Sequence, residues 1–174
     1  SSESDLSWKV DKMKLESFQF SDLSGGINPG DQRALYYLLK YFNPSNILEI
    51  GTHLGYSTIT CAIALKDARA SVDITTVDIL DVNDEIITPW VNYNSKYSPQ
   101  EMVRMINFDN FVNFIIEPSL SFMRQCNDKF DFIFLDGDHS PQTVYQELPL
   151  ALKLLTSDGI ILLHDYFPDG KPLW

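Results

Sequence analysis

The chain has 174 residues, 44% of them hydrophobic, and a formal net charge of −11. That length supports one domain with a substantial core and argues against a second. The acidic balance disfavours nucleic acid and anionic membrane surfaces as partners, since both require a basic face.

Residues 1–30 lack sustained periodicity and contain no apolar stretch of the signal-peptide kind. Trp8, Val10, Met13, Leu15 and Phe18 could form an amphipathic lead-in, while Ser24-Gly25-Gly26 and Pro29-Gly30 mark turns. This segment is expected to be an arm over the domain or over a ligand. Asp31 is a candidate cap for a helix with Leu35, Leu38, Leu39 and Phe42 at helical spacing, stopped by Asn43-Pro44-Ser45.

Next comes Asn46 to Thr58, NILEIGTHLGYST, the stretch that organises the rest. Ile47, Leu48 and Ile50 predict a buried parallel strand. Gly51 and Gly55 form a loop, and Tyr56-Ser57-Thr58 lead into a helix running to about Lys66. Strand, glycine loop and helix make half of a nucleotide-binding unit, with free backbone N–H groups at the helix start. The G-x-x-x-G spacing matches neither the dinucleotide fingerprint nor a P-loop. A tight turn without a ligand is the plain alternative. Glu49 argues against it, because a buried carboxylate is costly unless something pairs with it.

A second strand, Val72 to Ile79, carries Asp78 near its tip, where such folds hold two ribose hydroxyls. Residues 81–99 predict a long irregular loop, and Glu101–Phe108 a helix. Val112–Ile116 predict a third strand, followed by Pro118-Ser119 and a short helix through Met123. Phe130–Leu135 form a fourth buried strand that delivers Asp136-Gly137-Asp138-His139 to its end. Ser140-Pro141 start a helix, which Pro149 should kink. Ser157-Asp158-Gly159 turn the chain into a fifth strand, Ile160–Leu163, ending in His164-Asp165-Tyr166.

Strands alternating with helices predict an α/β fold with a parallel sheet and right-handed crossovers, its strand C-termini on one edge. His53, His139 and His164, the chain's three histidines, all map to that edge. So do Glu49, Asp78, Asp136, Asp138 and Asp165. Cys61 and Cys126 suggest neither a disulfide framework nor a metal knuckle. No apolar run reaches membrane-spanning length, so a cytoplasmic setting is expected.

Glu49-Ile50-Gly51 through Gly55-Tyr56-Ser57, Asp78, and the block Phe130–Asp165 resemble class I S-adenosylmethionine-dependent methyltransferases. Within that class the chain is most similar to small-molecule O-methyltransferases of the macrocin O-methyltransferase and cephalosporin-hydroxylase-like group. The resemblance implies a Rossmann-like three-layer sandwich with strand order 3-2-1-4-5, over residues 31–174 behind a 1–30 arm. It implies S-adenosylmethionine as cofactor and a small-molecule hydroxyl as acceptor, with no nucleic acid or membrane partner; a homo-oligomer stays open. Glu49, Gly51, Thr52, His53, Gly55 and Ser57 are then expected to hold the methionine portion and Asp78 the ribose. Asp136 and Ser119 complete the cofactor shell, with Glu117 a loose substitute for an adenine-contacting acid.

In metal-dependent relatives the acid matching Asp136 helps hold Mg²⁺ and the histidine matching His139 is the base. Asp136, Asp165 and His164 are therefore the metal candidates, and His139 with Asp136 the catalytic ones. Having His164-Asp165 in place of paired acids departs from that pattern. The family's C-terminal antiparallel strand pair is missing, which suggests a piece of a longer protein. Two other readings stand beside this one: a nicotinamide-dependent oxidoreductase, and a binding protein that has lost the chemistry.

Overall fold

Five apolar runs become five parallel strands, each placed by the turn chemistry before it. The computed structural model describes residues 3–18, 26–67 and 71–164. The strands are β1 (Asn46–Ile50), β2 (Asp73–Asp78), β3 (Val112–Ile116), β4 (Phe130–Leu135) and β5 (Leu155–Leu163), in the order β3-β2-β1-β4-β5. All four pairings are parallel. This is the expected order, with β1 central, and no antiparallel pair occurs among the described residues.

The helices are α1 (Glu3–Ser17), α2 (Pro29–Phe42), α3 (Tyr56–Leu65), α4 (Pro99–Met105), α5 (Ser119–Gln125) and α6 (Pro141–Leu154). Side chains alternate across the sheet, so Ile47, Ile74, Val112 and Phe132 face the core built with α1–α4. Leu48, Ile50, Val77 and Ile133 face the smaller core under α5 and α6, with Met123, Ala151 and Leu154. Every residue of α3 is buried, which its run of small and apolar side chains allows.

The first thirty residues hold more regular structure than their sequence suggests. In α1, Trp8 and Leu15 are buried, as are Asp11 and, just after the helix, Phe18. Asp11 accepts hydrogen bonds from the Tyr36 hydroxyl and the Lys66 ammonium, both at 2.7 Å, tying α1 to α2 and the end of α3. An acid on the buried face is what broke the apolar periodicity.

Helix α2 is capped by Asn28, not Asp31. The Asn28 side chain accepts from the Gly30 and Asp31 N–H groups at 2.9 and 3.0 Å, and Pro29 takes the first helical position. Asp31 thus falls in the first turn, where its charge suits the helix terminus. Asn28→Ala should lower stability by about 1 kcal/mol in chemical denaturation.

Ser98 caps α4 with a capping box to Glu101, so that helix starts before the expected Glu101. A 3₁₀ turn at Pro89–Tyr93 punctuates the long loop. Strand β5 also starts early. Leu155 pairs with Phe130, the ladder breaks, and pairing resumes at Phe132 and Ile160, so Ser157-Asp158-Gly159 bulge within the strand.

Candidate active site

The strand C-termini open into a cavity of about 860 Å³ on the predicted edge. Gly51, Thr52, His53, Ser57, Asp78, Ser119, Asp136, His139 and His164 line it, so most residues singled out in the sequence converge there. Gly55 and Glu49 do not reach its wall. Asp165 lies outside the described residues.

The glycine loop is shaped by the protein's own backbone. A Cβ on Gly51, whose φ is +97°, would lie 2.2 Å from the Asp136 carbonyl oxygen. A Cβ on Gly55, with φ +73°, would meet Pro99 at 2.7 Å. Both glycines therefore answer to internal packing: the loop after β1 lies directly on the loop after β4.

Glu49 is fully buried beneath that loop, on the α3 side of the sheet. One carboxylate oxygen accepts from Thr58 and Thr76 hydroxyls, each at 2.5 Å, and the other has no hydrogen-bond partner among the described residues. Burial pushes its pKa up to about 7, although the nearby hydroxyls of Ser57, Thr58 and Thr76 pull the other way. Thr52 and Thr76 share a 2.6 Å hydroxyl contact that stitches the loop to β2.

Asp78 sits at the tip of β2. It accepts the His53 N–H at 2.8 Å and the Leu80 N–H at 3.0 Å, which fixes the carboxylate at the cavity wall. His53 has φ +45° and its ring meets Tyr93 edge-on at 4.8 Å. Burial lowers the His53 pKa, against the pull of Asp78 and Asp136, and so favours the neutral ring. At the β3 end, Glu117 accepts hydrogen bonds from Ser121 and Gln125, and the Ser119 hydroxyl donates to Glu147 at 2.5 Å.

The fifth strand ends at Leu163, so the extended alternation stops before His164. Its N–H still donates to Leu135 O at 3.1 Å, and its ring turns into the cavity. His164 Nδ1 lies 2.8 Å from Asp136 Oδ1, and Nε2 3.1 Å from Asp31 Oδ2. The exposed His139 ring is 6.4 Å from that of His164. Asp138 accepts from the Thr143 and Ser140 hydroxyls and the Ser140 N–H, which hold its carboxyl below the usual range.

The metal candidates are only partly assembled. Asp136 and His164 come together, but they face each other, and no group of three potential ligands forms among the described residues. A hard cation prefers a full set of oxygen ligands. The described residues do not provide one.

Asn28, Asp31, Tyr56, Leu120 and Thr143 also border the site or its contacts and were not foreseen. The Asn28-Pro29 pair, a cap followed by proline, was the available signal for Asp31. Buried Glu147 had none.

Residues 48–166 match the family described as methyltransferase domain. The chain belongs to that family. It is 34% identical over 147 residues to a caffeoyl-CoA O-methyltransferase of Populus kitakamiensis, covering 82% of this chain and 56% of that protein. The chain spans about half the length of the curated relatives it matches. A Podospora anserina methyltransferase solved with SAH superposes with a TM-score of 0.66 at 21% identity, covering 92% of this chain and 66% of that one. A Bacillus cereus O-methyltransferase in complex with SAH gives 0.62 at 22% identity, covering 91% and 65%. These likenesses show that the methyltransferase domain has the fold of those enzymes. Among its described residues no helix is long and apolar enough to cross a membrane.

Proposed function

We propose that the chain binds S-adenosylmethionine and transfers its methyl group to the hydroxyl of a small molecule. The observation that carries this reading is Asp78: a carboxylate held by two backbone N–H groups at the tip of β2, facing a cavity in a methyltransferase domain. The described cavity wall bears acids and no lysine or arginine, which suits a cofactor with a sulfonium and an ammonium group. The relatives' names point the same way.

When bound, the cofactor supplies an electrophilic methyl group. The chain's own residues then position the partners and take up a proton. Asp78 accepts the two ribose hydroxyls. Gly51, Thr52, His53 and Ser57 line the methionine side, with Glu49 supporting them from below. Ser119 and Glu117 border the adenine end. His139, at the mouth, receives the proton of the acceptor hydroxyl, while the Asp136–His164 contact fixes the wall behind it.

Calorimetry with S-adenosylmethionine tests the reading directly. Asp78→Asn should weaken binding by about 1.5–3 kcal/mol, roughly 10- to 100-fold, because charge-assisted hydrogen bonds are lost. Parent-like affinity in the folded variant would place the ribose elsewhere. His139→Ala should lower methyl transfer by about 100-fold and leave cofactor affinity unchanged. Unchanged turnover would remove His139 as base.

A further inference from the structure

We propose that the acceptor is a neutral or cationic hydroxyl compound, and that acceptors bearing phosphate or carboxylate groups are rejected. This deepens the methyl-transfer reading and rests on it.

Four carboxylates line the cavity: Asp78, Glu117, Asp136 and Asp138, with Asp31 adjoining through His164. Among the described residues no lysine or arginine lines it. The donors that face Asp78, Glu117 and Asp138 are backbone N–H groups, hydroxyls and one amide, none of them a cation, while Asp136 and Asp31 share the His164 ring, one histidine against two carboxylates. Burial favours the neutral form of His53.

Most of the described basic residues lie elsewhere for a topological reason. Lys40, Arg104, Arg124 and Lys153 occupy the last turns of α2, α4, α5 and α6, where a cation suits the helix terminus. In a parallel α/β sheet the C-terminus of a helix leads into the start of the next strand. These cations therefore stand at the edge opposite the cavity. Lys66, following α3, and Lys129, preceding β4, join them. Arg33, close to the site in sequence, lies over the Tyr37 ring at 5.5 Å. The domain is thus polarised, and an excess of 11 negative charges deepens the potential at the mouth.

A coenzyme A thioester, the acceptor class in the Populus relative's name, would bring several phosphates to this edge. A catechol, a phenol or an amino alcohol would not meet that repulsion.

The test uses the full 174-residue chain. Binding of S-adenosylhomocysteine is measured first by calorimetry, and its absence would refute the methyltransferase reading itself. To the product-bound chain are then titrated three matched catechols: 4-(2-aminoethyl)catechol, 4-ethylcatechol and 3-(3,4-dihydroxyphenyl)propanoate. The cation and the neutral compound should bind about tenfold or more tightly than the anion at about 20 mM salt, a gap that narrows by about 300 mM. Anion affinity equal to the others at low salt would overturn the proposal. So would methylation of caffeoyl-CoA as fast as caffeate methyl ester, or failure of all three catechols to bind while S-adenosylhomocysteine does.

Discussion

Gly51→Ala is expected to destabilise the domain by about 3–5 kcal/mol and to abolish cofactor binding at ordinary temperature. Two costs add. At φ +97° an L side chain is strained wherever it points. Here the methyl group would also sit 2.2 Å from the Asp136 carbonyl oxygen and 2.7 Å from its carbon. Neither neighbour is a flexible side-chain tip, so β4's loop must move. Guanidinium denaturation of parent and variant measures the effect. A loss below about 1 kcal/mol would show that the two loops part easily and that their contact does not hold the cavity in shape.

Glu49→Gln should markedly change the pH dependence of stability. Burial pushes the pKa of the folded carboxyl up to about 7 from its ordinary 4.5. A folded pKa raised in this way favours the protonated form. Its stabilisation is complete below about pH 4.5 and is lost as the pH rises through 7. The difference corresponds to about 3 kcal/mol above pH 7. Glutamine cannot ionise, so the variant should gain on the parent as pH rises from 5 to 8. Its amide nitrogen takes the place of an oxygen with no hydrogen-bond partner, which offsets part of that gain. Denaturation at both pH values decides the matter, and parallel pH profiles for parent and variant would mean that Glu49 titrates normally.

The sheet was readable because its strands are short apolar runs between strong stop signals. Asn43-Pro44 before β1 and Ser140-Pro141 before α6 do what such pairs do elsewhere. The cavity residues were readable for a related reason: in a parallel sheet, chemistry at the strand ends falls on one edge. Helix α1 was obscured because Asp11 occupies its buried face, a polar pairing that periodicity cannot detect. Glu49 was visible as an anomaly, yet its sequence position could not tell a carboxylate facing a ligand from one facing α3. The glycines were read for their freedom toward a ligand, whereas the space they leave is filled by Asp136 and Pro99. Asp31 joined His164 only through tertiary structure, across 133 positions of chain.

The strand order 3-2-1-4-5 has a bearing on how the molecule comes into being. As the chain is synthesised, α1, α2, β1, α3 and β2 can associate through nearby contacts, and β3 adds to the outer side of β2. The other flank of β1, Ile47 to Ile50, waits for a partner that lies far downstream: Ile47 pairs with Phe132 and Ile50 with Leu135. Until those residues emerge, an apolar strand at the middle of the final sheet is an open edge, able to recruit the wrong chain. Insertion of β4 closes that edge and delivers Asp136 onto Gly51 in the same event. The cavity is therefore among the last parts of the molecule to exist, and a stalled or shortened chain would be sticky before it could bind anything.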